Sequence, residues 1–324
     1  MKLLKIFIAF FAICLATFTN AHAQAWPTKP VKVMVGFAPG GGTDIAARIW
    51  AKHISEIWGQ PVVIENRPGA GGNLGIRHML SEPADGYTLS MTQTGNLGPQ
   101  HILSNPGYDW QKDMIGVAYL GDATPFVVVV NSNSKVTNLK EFEAWSRTKT
   151  LSYAMPGIGV PHHIFGATLA NHFNVEMTAV PYKGVPQIIN DLANGVLDFV
   201  VAPTSSVIEQ NTAQGKFNVI AVIGNRTWSA YPGVRTMGQQ GIDGFVVRQM
   251  YVVMTPTGTP DAVVRKIRAD SKQAWTRAFA ELRERGVIDP AQEAWPESFE
   301  QLHQDQQNTW TKIIQRSKIK SITP

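Results

Sequence analysis

Val35-Gly36-Phe37-Ala38-Pro39-Gly40-Gly41-Gly42-Thr43-Asp44 is the stretch on which the fold of this chain turns. It lies between a β-branched run, Val31–Val35, and a segment whose Ile45, Ile49, Ile54 and Ile57 share one helical face. Strand, glycine-dense turn and helix together aim several free backbone N–H groups at one small volume. Glycines let a backbone approach a ligand closely or take positive φ. Thr43 is the expected N-cap, and the helix start favours negative charge beside it. The stretch therefore reads as an anion cradle, with a tight structural turn as the plainer alternative. Two later segments carry the same ingredients after strands and favour the cradle: residues 92–96, and residues 155–161 with Gly157 and Gly159 in a Gly-x-Gly.

Working outward, Pro61-Val62-Val63-Ile64-Glu65 predicts a second strand, followed by a second glycine-rich loop, Asn66-Arg67-Pro68-Gly69-Ala70-Gly71-Gly72-Asn73. A helix over 74–80 and a strand over 87–91 complete a βαβαβ rhythm, which argues for a parallel sheet covered by helices. The alternation restarts near Phe126 and runs to about Gly224. Residues 245–255 then offer one more strand that returns the chain to the first unit, and the rest is helical by pattern. The expected fold is α/β, with one lobe from residues 24–124 and 249–324 and a second from 125–248. Loops at the carboxyl ends of their strands would line a cleft between them, where open α/β sheets bind ligands.

The first 23 residues stand apart. Lys2 and Lys5 precede an apolar run over 6–18 and a small-x-small signal, Ala21-His22-Ala23, which predicts an export leader and a mature chain from Gln24, or else cleavage after Ala25. The single cysteine, Cys14, falls in that leader, so no disulfide or thiol chemistry is expected. Of 324 residues 44% are apolar and 16% charged, which suits a packed globular protein. Losing Lys2 and Lys5 lowers the formal charge from +5 to +3, and without clustered Lys and Arg this gives no basis for nucleic-acid binding.

Catalytic readings find little support. Gly42 stands where a phosphate loop needs its lysine, and His162 where a dinucleotide fingerprint needs its third glycine. His162 and His163 are adjacent on a helix and point apart, so they are poor partners for one metal. Ser205 and Ser206 lack a glycine-flanked nucleophile elbow. Arg248 is the lone charge of its apolar segment. It is either a hinge ion pair or a planar fork for a second carboxylate, with Met250 and Tyr251 as an apolar wall beside it.

These motifs resemble the Bug/TctC family of extracytoplasmic solute receptors of tripartite tricarboxylate-type transporters. The resemblance rests on Trp26-Pro27-x-Lys29-Pro30-Val31, residues 37–44 with Ala47-Arg48, residues 59–73, Pro83-Ala84-Asp85-Gly86-Tyr87-Thr88-Leu89, Val180-Pro181-Tyr182-Lys183-Gly184 and Pro256-Thr257-Gly258-Thr259-Pro260. It implies a type II periplasmic binding fold that closes on a small carboxylate, partnered by membrane permease subunits, without cofactor, metal or catalysis. A monomer is expected. By position it puts Phe37, Ala38, Gly41 and Asp44 at or behind the ligand. Further contacts are expected from Thr92 and Thr94, from Met155, Gly157, Gly159 and His163, from Thr204 and Ser205, and from Arg248 and Met250.

Met155, Val160 and Met250 replace more polar or aromatic family residues. An aromatic mono- or dicarboxylate is therefore the expected ligand. An aliphatic di- or tricarboxylate, an acidic amino acid, a sensing role, and an exported enzyme using His163 or Asp44 as a base are the alternatives.

Overall fold

Alternate valines of β1 (Val31–Val35) are fully buried, and the glycine turn carries the chain directly into helix α1 (Gly42–Trp58). The computed structural model describes residues 26–289 and 298–319, so the expected leader, with Cys14, lies outside them. The chain continues through β2 (Val62–Asn66), α2 (Asn73–Ser81), β3 (Thr88–Gln93), α3 (Thr94–Leu103) and β4 (Met114–Asp122). It then crosses to β5 (Phe126–Asn131), α4 (Leu139–Ser146), β6 (Leu151–Met155), α5 (Pro161–Phe173) and β7 (Met177–Pro181). Next come α6 (Val185–Ala193), β8 (Phe199–Pro203), α7 (Ser206–Ala213) and β9 (Phe217–Ile223), before a return to β10 (Met250–Pro256), α8 (Asp261–Glu284) and α9 (Phe299–Ser317).

Two five-stranded sheets result, ordered β2-β1-β3-β10-β4 and β7-β6-β8-β5-β9. This is the expected α/β architecture, with one sheet to each lobe. The sheets are mixed rather than wholly parallel. In each, the strand that arrives from the other sheet enters antiparallel: β10 between β3 and β4, and β5 between β8 and β9. Helices cover the sheets, so strands such as β3 and β5 are buried at every position and read as continuous apolar or uncharged runs.

Local signals account for most boundaries. Gly59 closes α1 in the left-handed conformation, and Asn138 caps α4 by accepting from the Glu141 N–H at 3.0 Å. Two details differ from the sequence reading. Helix α1 begins at Gly42 with Gly41 as its N-cap, so Thr43 lies inside the helix. Residues 92–96 are no loop, because β3 runs straight into α3 at Thr94.

Helix α9 packs on both lobes. Phe299 joins the cluster of Met34 and Trp110, while Trp310 and Ile313 join that of Phe165. The Thr168 hydroxyl also meets that of Ser317 at 2.8 Å. Arg226 of the second lobe donates to Asp289 beside the first at 2.6 Å.

The two glycine loops of the first lobe interlock backbone to backbone. A Cβ on Gly36 would sit 2.5 Å from the Gly72 Cα, and one on Gly75 would sit 2.9 Å from the Gly36 Cα. Neither backbone can yield without moving its loop. Gly36→Ala is expected to cost about 3 kcal/mol, the upper end for overpacking. Gly224→Ala, with open space around it, should be near neutral; chemical denaturation of the two variants checks this.

Candidate functional site

A cavity of about 360 Å³ lies between the lobes. That is within the size range of a small-molecule site. From the first lobe come Phe37, Ala38, Gly40, Gly41, Gly42, Thr43 and Ile45, with Gln93, Asn96 and Tyr251 behind them. The second lobe contributes Pro156, His162, Val185, Pro186, Ile189 and Asn190, then residues 203–207. Thr124 and residues 285–287 complete the wall where the lobes join. No acid lines the cavity among the described residues, and Arg285, exposed at the end of α8, is the one charged side chain on its wall.

Helix starts dominate the lining. The first turns of α1, α3, α5, α6 and α7 all contribute residues to it. Four of these helices, α1, α3, α5 and α6, have no side chain capping the first turn. Their leading N–H groups have no intrahelical acceptor, and each helix end favours an anion by roughly 0.3–1 kcal/mol. Apolar groups fill the space between: Phe37, Val185, Ile189, Pro203 and Val207. Such a wall suits an organic body attached to an anionic head.

Asp44 organises the cradle from behind. It is 2% exposed and does not line the cavity. Its carboxylate accepts from the Gly40 N–H at 2.9 Å, from Arg48 through two nitrogens at 2.9 Å, and from the Asn66 amide at 2.9 Å. Asn66 also donates to the Phe37 carbonyl at 3.0 Å, which ties the loop at both ends. Burial raises the Asp44 pKa, but the bonds from Arg48, Gly40 and Asn66 outweigh it and hold the group below its usual value. Bonded in this way from behind the cavity, Asp44 fixes the loop.

On the second lobe, the Thr204 hydroxyl is paired with the Tyr231 hydroxyl at 2.8 Å, and its carbonyl accepts from Thr124 at 2.6 Å. Ser205 is the N-cap of α7 and accepts from Ile208 N. Burial keeps the Tyr251 phenol protonated, and a Cβ on Gly42 would come within 2.5 Å of its oxygen.

The other expected contacts are distributed differently. Phe37, Ala38, Gly41, Thr204 and Ser205 line the cavity. Thr92 is buried in β3, and the Thr94 hydroxyl donates to Gln306 and accepts from Met250 N, each at 3.1 Å. Met250 packs in the core with Met34 and Met254, and Tyr251, one residue on along the strand, faces the cavity. Met155 and Gly157 border a separate surface groove with Arg77 and Lys183. Gly157 lies where the lobes touch, since a Cβ there would be 2.6 Å from the Gly71 Cα, and Gly159 lies against Gln100. His163 accepts from Gly159 N at 3.4 Å, whereas His162 is the histidine on the cavity wall.

Arg248 takes the hinge role. It grips Asp122 with Nε at 2.7 Å and a second nitrogen at 3.1 Å, and Tyr119 donates to the same carboxylate at 2.6 Å. This pairing joins the two strands at which the chain passes between lobes. Gln93, Asn96 and His162 stood inside or beside motifs already singled out. Nothing in the sequence pattern marks residues 285–287, which reach the cavity only because α8 ends there.

Helix starts without side-chain caps, with largely apolar groups between them, thus line a cleft between two lobes. Residues 46–319 match the tripartite tricarboxylate transporter family receptor, TctC, and the chain belongs to that family. It is similar to the periplasmic binding protein BugD, at 27% identity and a TM-score of 0.81 over 92% of this chain and all of that one. Two proteins of Rhodopseudomonas palustris are comparably similar. Rpa4515 with adipate shares 26% identity at TM-score 0.80, over 91% of this chain and 99% of that one. MatC with bound malate shares 27% at 0.80, over 89% and 100%. The relatives are solute-binding proteins. Among the described residues no group of His, Cys, Asp and Glu could hold a metal, and no helix is long and apolar enough to cross a membrane.

Asp44→Asn is expected to cost about 2 kcal/mol at neutral pH, the scale of hydrogen bonds to a charged group. Because the folded pKa is depressed, that contribution is present above the unfolded value near 3.9 and is lost as pH falls through the folded one. The stability gap between wild type and variant should be flat above about pH 5 and close below about pH 4 in denaturation series. Arg248→Ala should cost about 1–3 kcal/mol by leaving Asp122 short of a partner. Calorimetry should find ligand affinity changed by less than about threefold, a free-energy change well under 1 kcal/mol.

Proposed function

We propose that the mature chain is a periplasmic, non-catalytic receptor. It captures a small organic carboxylate between its lobes and delivers it to the permease subunits of a tripartite tricarboxylate-type transporter. One observation carries the reading: uncapped helix starts from both lobes surround a cavity without an acid among its described lining residues. A carboxylate there can be satisfied by backbone N–H groups and ordered water, without a buried lysine. Contacts to both lobes are what allow binding to favour the closed state.

For the body of the ligand, the apolar wall favours an aromatic mono- or dicarboxylate. Met155 and Met250, with the buried Val160, leave the cavity wall, and the case rests on Phe37, Ile189, Val207 and Tyr251. The adipate and malate carried by two neighbours favour an aliphatic dicarboxylate as the second reading.

A ligand that binds only the folded protein raises its stability by about 2.7 kcal/mol at a hundred times Kd. Thermal-shift and calorimetric titration against benzoate, the phthalate isomers, nicotinate, succinate, glutamate and citrate is the test. Ring carboxylates should give the largest shifts, with stoichiometric and reversible heats. Responses confined to succinate or citrate would replace the aromatic reading with the aliphatic one. Turnover of any of them would overturn the receptor role.

A further inference from the structure

Two buried polar groups on the cavity wall, Asn96 and His162, take no part in holding its glycine loop. Asn96 lies in the first turn of α3 and His162 in the first turn of α5, so they come from opposite lobes. Both line the cavity, and Asn96 is 3% and His162 6% exposed. The two turns abut, since a Cβ on Gly95 would lie 3.1 Å from the Pro161 Cγ. Neither ring nitrogen of His162 has a hydrogen-bond partner among the described residues, nor has the Asn96 side-chain nitrogen. Buried polar atoms are rarely left so, and each carries a desolvation cost that a correctly placed partner recovers.

The chemistry of that partner follows from what the pair can offer. Burial lowers the His162 pKa to about 3, so the imidazole is neutral, with one N–H donor and one acceptor nitrogen. Asn96 adds amide donors. Phe126 packs edge-on against His162 at 5.4 Å, and Arg285 is the one charged side chain on the cavity wall. A second carboxylate at this end would bring two oxygens with about four acceptor sites between them and no donor, more than one imidazole N–H and one side-chain amide satisfy. A ring hydroxyl or ring nitrogen needs only one or two bonds, of the kinds this pair supplies.

Building on the carboxylate-receptor reading, the geometry points to Asn96 and His162 as a specificity pair spanning both lobes. The pair reads a neutral hydrogen-bonding group on the ligand, which narrows the ligand class to aromatic monocarboxylates with a ring hydroxyl or ring nitrogen. Because one member sits on each lobe, the pair is complete only when the lobes close, so the neutral group helps select the closed state.

Titration calorimetry at pH 7.5 with benzoate, 3-hydroxybenzoate, 4-hydroxybenzoate, nicotinate and isophthalate tests this. At least one of the hydroxylated or nitrogen-bearing acids should bind roughly tenfold or more tightly than benzoate, about 1.4 kcal/mol. In His162→Phe the ratio of that acid's affinity to benzoate's should fall below about threefold, and His162→Gln should restore part of it. Asn96→Leu reads the same ratio should the phenylalanine variant not fold. An unchanged advantage in the variants overturns the pair, as does isophthalate binding more tightly than every monocarboxylate. Both results leave the carboxylate receptor standing. Failure of every carboxylate to bind the wild type overturns the receptor reading and this inference together.

Discussion

A carboxylate can be bound without an opposing cation only if backbone donors are held still around it. In this protein the Asp44 carboxylate does much of the holding. It is an acid beside the proposed carboxylate site, yet its charge is met by Arg48, by the Gly40 N–H and by Asn66, so it stiffens the glycine loop. The pairing has a long reach. Asn66 ends β2 and fastens the Phe37 carbonyl, while Gly36 and Gly72 press the two glycine loops together with no room for a side chain. The cradle is thus a property of two loops and the start of a helix acting as one rigid piece.

The second constraint is topological. Each sheet completes itself with a strand delivered from the other lobe, so the two crossings are embedded in β-structure at both ends. The Arg248–Asp122–Tyr119 contact sits at those crossings, and α9 packs along both lobes. The glycines of the second lobe serve the closing surface. Gly157 and Gly184 let backbone approach Gly71 and Ala38, which brings the starts of α5 and α6 up to the cradle. Stiff lobes with bare glycine at their contact can convert a small ligand into a defined closed arrangement.

Much of the fold was legible because it depends on short-range patterns. The strand–glycine–helix order, the capping of α4 by Asn138 and the apolar runs of β5 and β10 are all written in neighbouring residues. Placement was harder where side-chain direction depends on register. Met250 and Tyr251 are adjacent on a strand and face opposite ways, so one residue separates core from cavity. On the first turn of α5, His162 lines the cavity while the adjacent His163 turns to the Gly159 N–H. Arg248 shows the other difficulty: a lone arginine in an apolar segment fits a ligand clamp or an ion pair equally well until its partner, Asp122, is seen more than a hundred residues earlier in the chain.

By itself, the sequence determined the α/β class, the glycine cradle, the return of the chain near residue 250 and membership of a receptor family, because local spacing and motif chemistry carry those properties. Only the tertiary structure decided which polar groups meet in the cavity. Helix starts from two lobes, the end of α8 and two side chains on α3 and α5 whose nitrogens lack partners among the described residues converge there through long-range packing. No local pattern encodes a distance between residues so far apart in the chain.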